Sequence, residues 1–198
     1  MTRRLVVGVS GATGVVYAER LLRLLAPMPV ETHLVVSRSA RMTLRYESDL
    51  SPRDLESLAD ISYRPNDVGA AIASGSFETM GMLVVPCSVK TMSEIACGIT
   101  PTLLPRAADV TLKERRRLVL MVRETPLHRN HLRTMSELAE LGAVIAPPVP
   151  AFYNRPTSIA ELVDHSVGRV LDLFGLESGA VRRWHQEQAS TAPGAEAL

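Results

Sequence analysis

Gly8, Gly11 and Gly14 punctuate one short turn, Gly8-Val9-Ser10-Gly11-Ala12-Thr13-Gly14, set between an apolar run and a helical pattern. Backbone N–H groups and a helix N-terminus converge at such a turn, the arrangement that binds an anion. A second polar turn, Pro86-Cys87-Ser88-Val89-Lys90-Thr91, also follows an apolar run and opens a helix. Ser88 and Thr91 offer hydroxyls there beside helix N-terminal amides. Arg106 and Lys113 stand seven residues apart and so share one helix face, where two cations can hold a phosphate. Arg123-Glu124 follows the run 118–122. A carboxylate and a guanidinium at a strand's C-terminal end suit active-site chemistry or a structural ion pair, and the pattern leaves both open.

The glycines are spaced G-x-x-G-x-x-G, not the G-x-G-x-x-G of dinucleotide sites. The second strand ends Val35-Val36-Ser37-Arg38, without the acidic residue that holds ribose hydroxyls. No Gly-Lys-Ser/Thr follows, so this is not a Walker A loop. The ligand class is phosphate or a mononucleotide rather than NAD. Simple chain reversal at the first turn, and helix capping by Ser88 at the second, are the structural alternatives. Cys87 reads as a small packing residue, and His128 and His131, bracketing a helix start, receive no catalytic role.

These residues need elements to position them. Short apolar runs at 5–9, 32–36, 82–85, 117–122 and 143–146 read as strands buried on both faces of a parallel sheet. Helical patterns cover 16–25, 53–59, 91–96, 107–114 and 131–141, and the alternation predicts a doubly wound α/β fold. The two turns would then face each other across a topological switch point. Residues 65–76 have no clear period and are expected to hold a short strand and a loop. Four prolines within 147–156 stiffen an extended connection. Thr157 or Ser158 caps a last helix whose apolar stripe is Ile159, Leu162, Val163, Val170, Leu171 and Phe174, with Gly175 as its stop. The expected organisation is one domain, 1–177, followed by a partly flexible tail, 178–198.

A chain of 198 residues can bury a substantial core, and with only 4% aromatics that core is built from Leu, Val, Ile, Ala and Met. The net charge of +1 gives no electrostatic footprint for nucleic acid or a membrane surface. No apolar run reaches membrane-spanning length. The two cysteines match neither a disulfide framework nor a zinc spacing, which points to a reducing, cytoplasmic setting.

Six segments together resemble a known family. Gly11-Ala12-Thr13-Gly14, Ala73-Ser74-Gly75-Ser76, Pro86-Cys87-Ser88-x-Lys90-Thr91, Arg106-Ala107-Ala108-Asp109-Val110-x-Leu112-Lys113-Glu114, Arg123-Glu124-x-Pro126 and Phe152-Tyr153-x-x-Pro156 are similar to the flavin prenyltransferases. These are the UbiX-type enzymes once described as aromatic acid decarboxylases. The resemblance runs in order from about residue 4 to about residue 184. It implies a three-layer, doubly wound, mostly parallel Rossmann-like flavoprotein. It also implies reduced FMN as prenyl acceptor, dimethylallyl phosphate as donor, no metal, and prenylated FMN as product for a separate UbiD-type decarboxylase. Homododecamers built from trimers are the assembly it implies.

By position in that resemblance, Gly11, Ala12, Thr13, Ser37, Ser88, Val89, Lys90, Thr91 and Arg123 contact FMN. Arg106, Lys113, Glu124, Tyr153 and Arg169 surround the prenyl phosphate; Tyr153 and Arg169 are singled out by the resemblance alone. Fixed cations stabilise a departing phosphate, and Glu124 serves proton transfer during ring closure. Thr13 stands where the family usually has serine; it keeps the hydroxyl and restricts χ1. Two rivals follow. A flavin-dependent cysteine decarboxylase typically needs a histidine after the second strand, and 37–50 contains none. A non-catalytic flavin-carrying subunit of an aromatic acid decarboxylase need not keep Lys113, Glu124, Tyr153 and Arg169 together.

Overall fold

A computed structural model describes residues 2–181 and 183. It divides into two compact units, Met1–Pro148 and Val149–Leu198. In the first unit the strands are β1 (Arg4–Val9), β2 (Glu31–Val36), β3 (Ile61–Tyr63), β4 (Gly81–Cys87), β5 (Arg117–Val122) and β6 (Val144–Ile145). Its helices are α1 (Val15–Leu25), α2 (Arg38–Glu47), α3 (Pro52–Glu56), α4 (Val89–Ala96), α5 (Leu103–Lys113) and α6 (Arg129–Glu140). The strands form one sheet in the order β3-β2-β1-β4-β5-β6, and every pairing is parallel.

The chain builds outward from β1 to β2 and β3, then returns to place β4 beside β1 and continues to β5 and β6. The order therefore reverses between β1 and β4, and a crevice opens at their C-terminal ends, as the sequence predicts. Along one sheet face Val6, Val35, Met82, Val84, Leu118 and Leu120 pack with Met92 and Ile95 of α4, Leu104 and Ala108 of α5, and Leu138 of α6. Alternate residues Leu5, Val7, Leu34, Leu83 and Val119 are equally buried, so the strands are covered on both sides.

Several elements differ from expectation. α2 has no counterpart in the predicted helices: it buries only Ala40 and Leu44, one turn apart, and its other apolar residues, Met42 and Tyr46, are exposed among polar ones. Its start is nonetheless written in the sequence, because Ser37 Oγ accepts from the Ala40 amide. α5 begins before 107, with Pro105 inside its first turn. Proline is tolerated there because the first helical N–H groups have no intrahelical partner. α3 is shorter than 53–59 and ends at Glu56, its start fixed by a capping box between Ser51 and Asp54. The short strand expected within 65–76 lies before it, at β3, and 65–76 holds a single 3-10 turn, Ala71–Ala73.

The second unit contains α7 (Ile159–Asp172), capped by Ser158. Val163, Val170, Leu171 and Phe174 are buried as read from the apolar stripe, but Ile159 is 79% exposed because it opens the helix ahead of the packed turns. Gly175 adopts φ 66°, the left-handed stop expected of it. An added Cβ at Gly168 would stand 2.6 Å from Val181 and 2.8 Å from Ser178, so this glycine admits the chain that follows α7. Trp184 and most of the expected tail lie outside the described residues.

Candidate active site

Four strand ends are tied together by hydrogen bonds that the ladder does not supply. Ser10, fully buried, donates its hydroxyl to the Pro86 carbonyl at 2.9 Å and accepts from the Ser88 amide at 2.7 Å. One side chain thus stitches the turn after β1 to the turn after β4, where Pro86 has no N–H of its own to give. The Ser37 amide donates to the Val9 carbonyl, and the Arg123 amide donates to the Cys87 carbonyl, both at 2.9 Å. The ends of β2, β1, β4 and β5 are thereby held side by side. Ser10 was legible only as a glycine-turn member; its partners are 76 and 78 residues away.

The resulting cleft, of about 370 Å³, is lined by Gly11, Ala12, Thr13, Ser39, Ser88, Val89, Lys90, Arg123 and Glu124. Eight of these nine come from the turns after β1, β4 and β5 that the sequence singles out. The ninth, Ser39, is the second residue of α2, while Ser37 caps that helix beside it, the two hydroxyls 3.2 Å apart. Gly11 packs so closely on Ser39 that an added Cβ would overlap that side chain. Thr91 is buried, its Oγ1 accepting from Ser88 Oγ at 3.2 Å, and so supports the turn from behind. Ser88 therefore both caps α4 and lines the cleft.

The amides that open α1 are already occupied. Gly14 N and Val15 N donate to Glu47 Oε2 at 2.8 and 3.1 Å. The anion at this helix N-terminus is a carboxylate of the chain itself, delivered by the unpredicted helix α2. Val89 and Lys90, whose first-turn amides have no partner within α4, line the cleft. Arg123 is exposed and Glu124 half-buried, its Oε1 accepting from the Thr125 amide at 3.0 Å. Arg123 and Glu124 form no ion pair with each other among the described residues, so the structural alternative for that pair is not what the geometry shows. Burial pushes the Tyr17 phenol above its ordinary value, and the nearby Arg123 guanidinium pulls it back. Cys87 is fully buried and its thiol is pushed up to about 12, which fits packing and not nucleophilic chemistry.

The cations of α5 stand outside this lining. Arg106 Nη1 donates to Asp109 Oδ2 at 3.0 Å, and Lys113 pairs with Glu114, whose carboxyl that contact holds below its ordinary value. In the second unit the Tyr153 hydroxyl and His165 Nε2 are 2.9 Å apart, and Arg169 Nη1 donates to Asp172 Oδ2 at 2.8 Å.

The donor set fits a phosphate-bearing mononucleotide. It offers the hydroxyls of Thr13, Ser39 and Ser88, helix-opening amides and the cations Arg123 and Lys90, the latter paired with Glu94 at 2.7 Å, with the carboxylate of Glu124 at the wall. Among the described residues no helix is long and apolar enough to cross a membrane.

Known proteins with the same arrangement can now be set beside it. The Flavoprotein family matches residues 1–171. Flavin prenyltransferase UbiX of Escherichia coli is 55% identical over 175 residues, covering 88% of this chain and 93% of the relative. The crystal structure of AnUbiX in complex with FMN and dimethylallyl pyrophosphate superposes with a TM-score of 0.92 at 52% identity, covering 93% of this chain and 98% of the other. A dodecameric FMN-dependent UbiX-like decarboxylase from Escherichia coli gives 0.90 at 50% identity, covering 91% and 98%. With identity of 50–55% sustained over nearly the full length of each relative, this chain belongs to the UbiX-like flavin prenyltransferase family of flavoproteins.

Proposed function

We propose that this chain transfers a dimethylallyl group from dimethylallyl phosphate to N5 and then C6 of reduced FMN. The allylic C–O bond breaks as N5 bonds to prenyl C1, and the departing phosphate takes the proton that N5 gives up. The prenyl double bond then gains a proton at C2 as C3 bonds to C6, and C6 loses its proton. The observation that carries this reading is the convergence of three turns on one cleft whose donors suit a flavin mononucleotide, with Glu124 at its wall. Gly11, Ala12, Thr13, Ser37, Ser88, Val89, Lys90, Thr91 and Arg123 hold the flavin, directly or by shaping the turns. Reduced FMN supplies the nucleophilic nitrogen and carbon.

The chain's own groups do the rest. Arg106, Lys113, Tyr153 and Arg169 bind the donor phosphate and stabilise negative charge as it leaves. Glu124, whose Oε1 accepts from the Thr125 amide, takes up the C6 proton. Thr13 adds a hydroxyl at the cleft mouth, and Lys113 completes the catalytic group with Glu124 and Thr13. Arg106 and Lys113 project from α5 outside the cleft lining, so flavin and donor phosphate meet through assembly, and the homododecamer is the working form. Residues 1–177 act as one domain in the cytoplasm, and the product passes to a UbiD-type decarboxylase.

The test is anaerobic incubation of the protein with reduced FMN and dimethylallyl phosphate, followed by mass spectrometry of the extracted flavin. A gain of one C5 prenyl unit is expected, and Glu124→Gln is expected to bind FMN but slow its conversion by roughly a hundredfold or more. Bound but unmodified FMN across several donors would overturn the reading in favour of a flavin-carrying subunit.

A further inference from the structure

The segment Ser74-Gly75-Ser76-Phe77 lies against the C-terminal end of α5. We propose that Gly75 and Arg116 are positioning residues for the Lys113 ammonium, fixing where the donor phosphate is met. The inference rests on the reading of Lys113 as a ligand of that phosphate. Gly75 is not among the glycines with positive φ, so backbone freedom does not explain it. Space does. An added Cβ would overlap the Glu114 carboxylate and stand 2.7 Å from Lys113 Nζ, closer than a Cβ ever approaches another atom. The ammonium and its carboxylate partner therefore rest directly on the glycine backbone.

Arg116 holds that backbone in place. Its Nη1 donates to the Phe77 carbonyl at 2.7 Å and its Nη2 to the Gly75 carbonyl at 2.6 Å, a two-point clamp across about forty residues of sequence. The way α5 ends aims the clamp. Arg116 N donates to the Thr111 carbonyl and Arg115 N to the Leu112 carbonyl, both at 2.9 Å, with Arg115 left-handed at φ 54°. This is a Schellman closure with arginine where glycine is usual, and it turns the chain back toward the loop. The far side of the loop is anchored at Phe77, whose ring lies under Arg4 at 4.8 Å and edge-on to His33 at 5.1 Å. A lysine held at one place loses less side-chain freedom when an anion arrives than one that swings freely.

Equilibrium binding separates this role from a structural one. Dimethylallyl phosphate is titrated calorimetrically into protein loaded with oxidised FMN, which cannot turn over. Gly75→Ala is expected to weaken donor binding about tenfold by displacing the ammonium. FMN affinity and Tm are expected to stay unchanged, because only the ends of two flexible side chains must move. Arg116→Met is expected to weaken donor binding similarly, with partial recovery in Arg116→Lys, which restores one donor of the two. Should Arg116→Met fail to fold, Gly75→Ala still decides. If Lys113→Ala weakens donor binding while Gly75→Ala does not, the positioning role is overturned and the phosphate assignment stands. If Lys113→Ala leaves donor binding intact, the assignment of Lys113 fails, and the positioning role fails with it.

Discussion

Ser10 carries more of the site than its size suggests. Its hydroxyl is buried, spends its proton on the Pro86 carbonyl and accepts the Ser88 amide, so both of its capacities are used at the seam between β1 and β4. Ser10→Ala leaves the Ser88 amide without its partner, while the Pro86 carbonyl keeps the Ser10 backbone amide, and a buried unsatisfied group costs about 1–3 kcal/mol. Stability, read from a urea midpoint, is expected to fall by that amount, and FMN affinity to fall with it because the Ser88 turn loses its tether. A variant that loses stability while binding FMN normally would separate the stitch from the site. Most cleft-lining residues were legible, because glycine, serine and the Arg-Glu pair occur where apolar runs end. Ser10 and Ser39 were not, since nothing local distinguishes a serine with a partner across the sheet from one facing water.

At the scale of elements, the least conspicuous helix does unexpected work. α2 is too polar to announce itself, yet its last residue, Glu47, supplies the anion for the N-cap amide of Gly14 and the first amide of α1. Helix α1 has no acidic residue in its first turn and no side-chain cap from Gly14, so the charge comes from outside. Glu47→Ala is expected to lower stability by about 1 kcal/mol, as loss of a helix cap does, and the difference is expected to shrink at high salt. Thermal unfolding at two salt concentrations measures both. An unchanged Tm would mean that water replaces the carboxylate without loss. The early start of α5 matters in the same way, because it places Arg106 on a rigid helix rather than on a loop.

Across the whole first unit, acid stability has a nameable source at the N-terminal ends of β1 and β2. Glu31 Oε1 lies 2.8 Å from His33 Nε2 and 2.9 Å from Arg4 Nε, and these contacts, His33 first, hold its carboxyl below the ordinary 4.5. Asp60 accepts from the Thr32 amide at 2.7 Å and the Thr32 hydroxyl at 2.8 Å, which hold it below the ordinary 3.8. Both pKa values are depressed in the folded state, so their stabilisation is present above the unfolded values and is lost as pH falls through the folded ones. Stability is therefore expected to hold above about pH 5 and to decline on acidification below it. Asp60→Asn is expected to flatten that decline in denaturation midpoints measured from pH 6 to pH 3; an identical slope would assign the acid sensitivity elsewhere.

Local physics made every strand but β3, the glycine turn and the caps of α4 and α7 readable from the chain alone. Alternating apolar runs permit few arrangements other than a doubly wound sheet, and hydroxyls before a helix have a restricted set of uses. The family resemblance added the flavin, the donor and two residues, Tyr153 and Arg169, that pattern did not mark. Tertiary structure decided what depends on distance. It joined the turns through Ser10, gave the first helix's anion site to Glu47, put Cys87 in the core and seated Lys113 on Gly75. Each of these is a contact between residues remote in sequence, and hydrogen bonds and close packing are formed in space, where sequence periodicity does not reach.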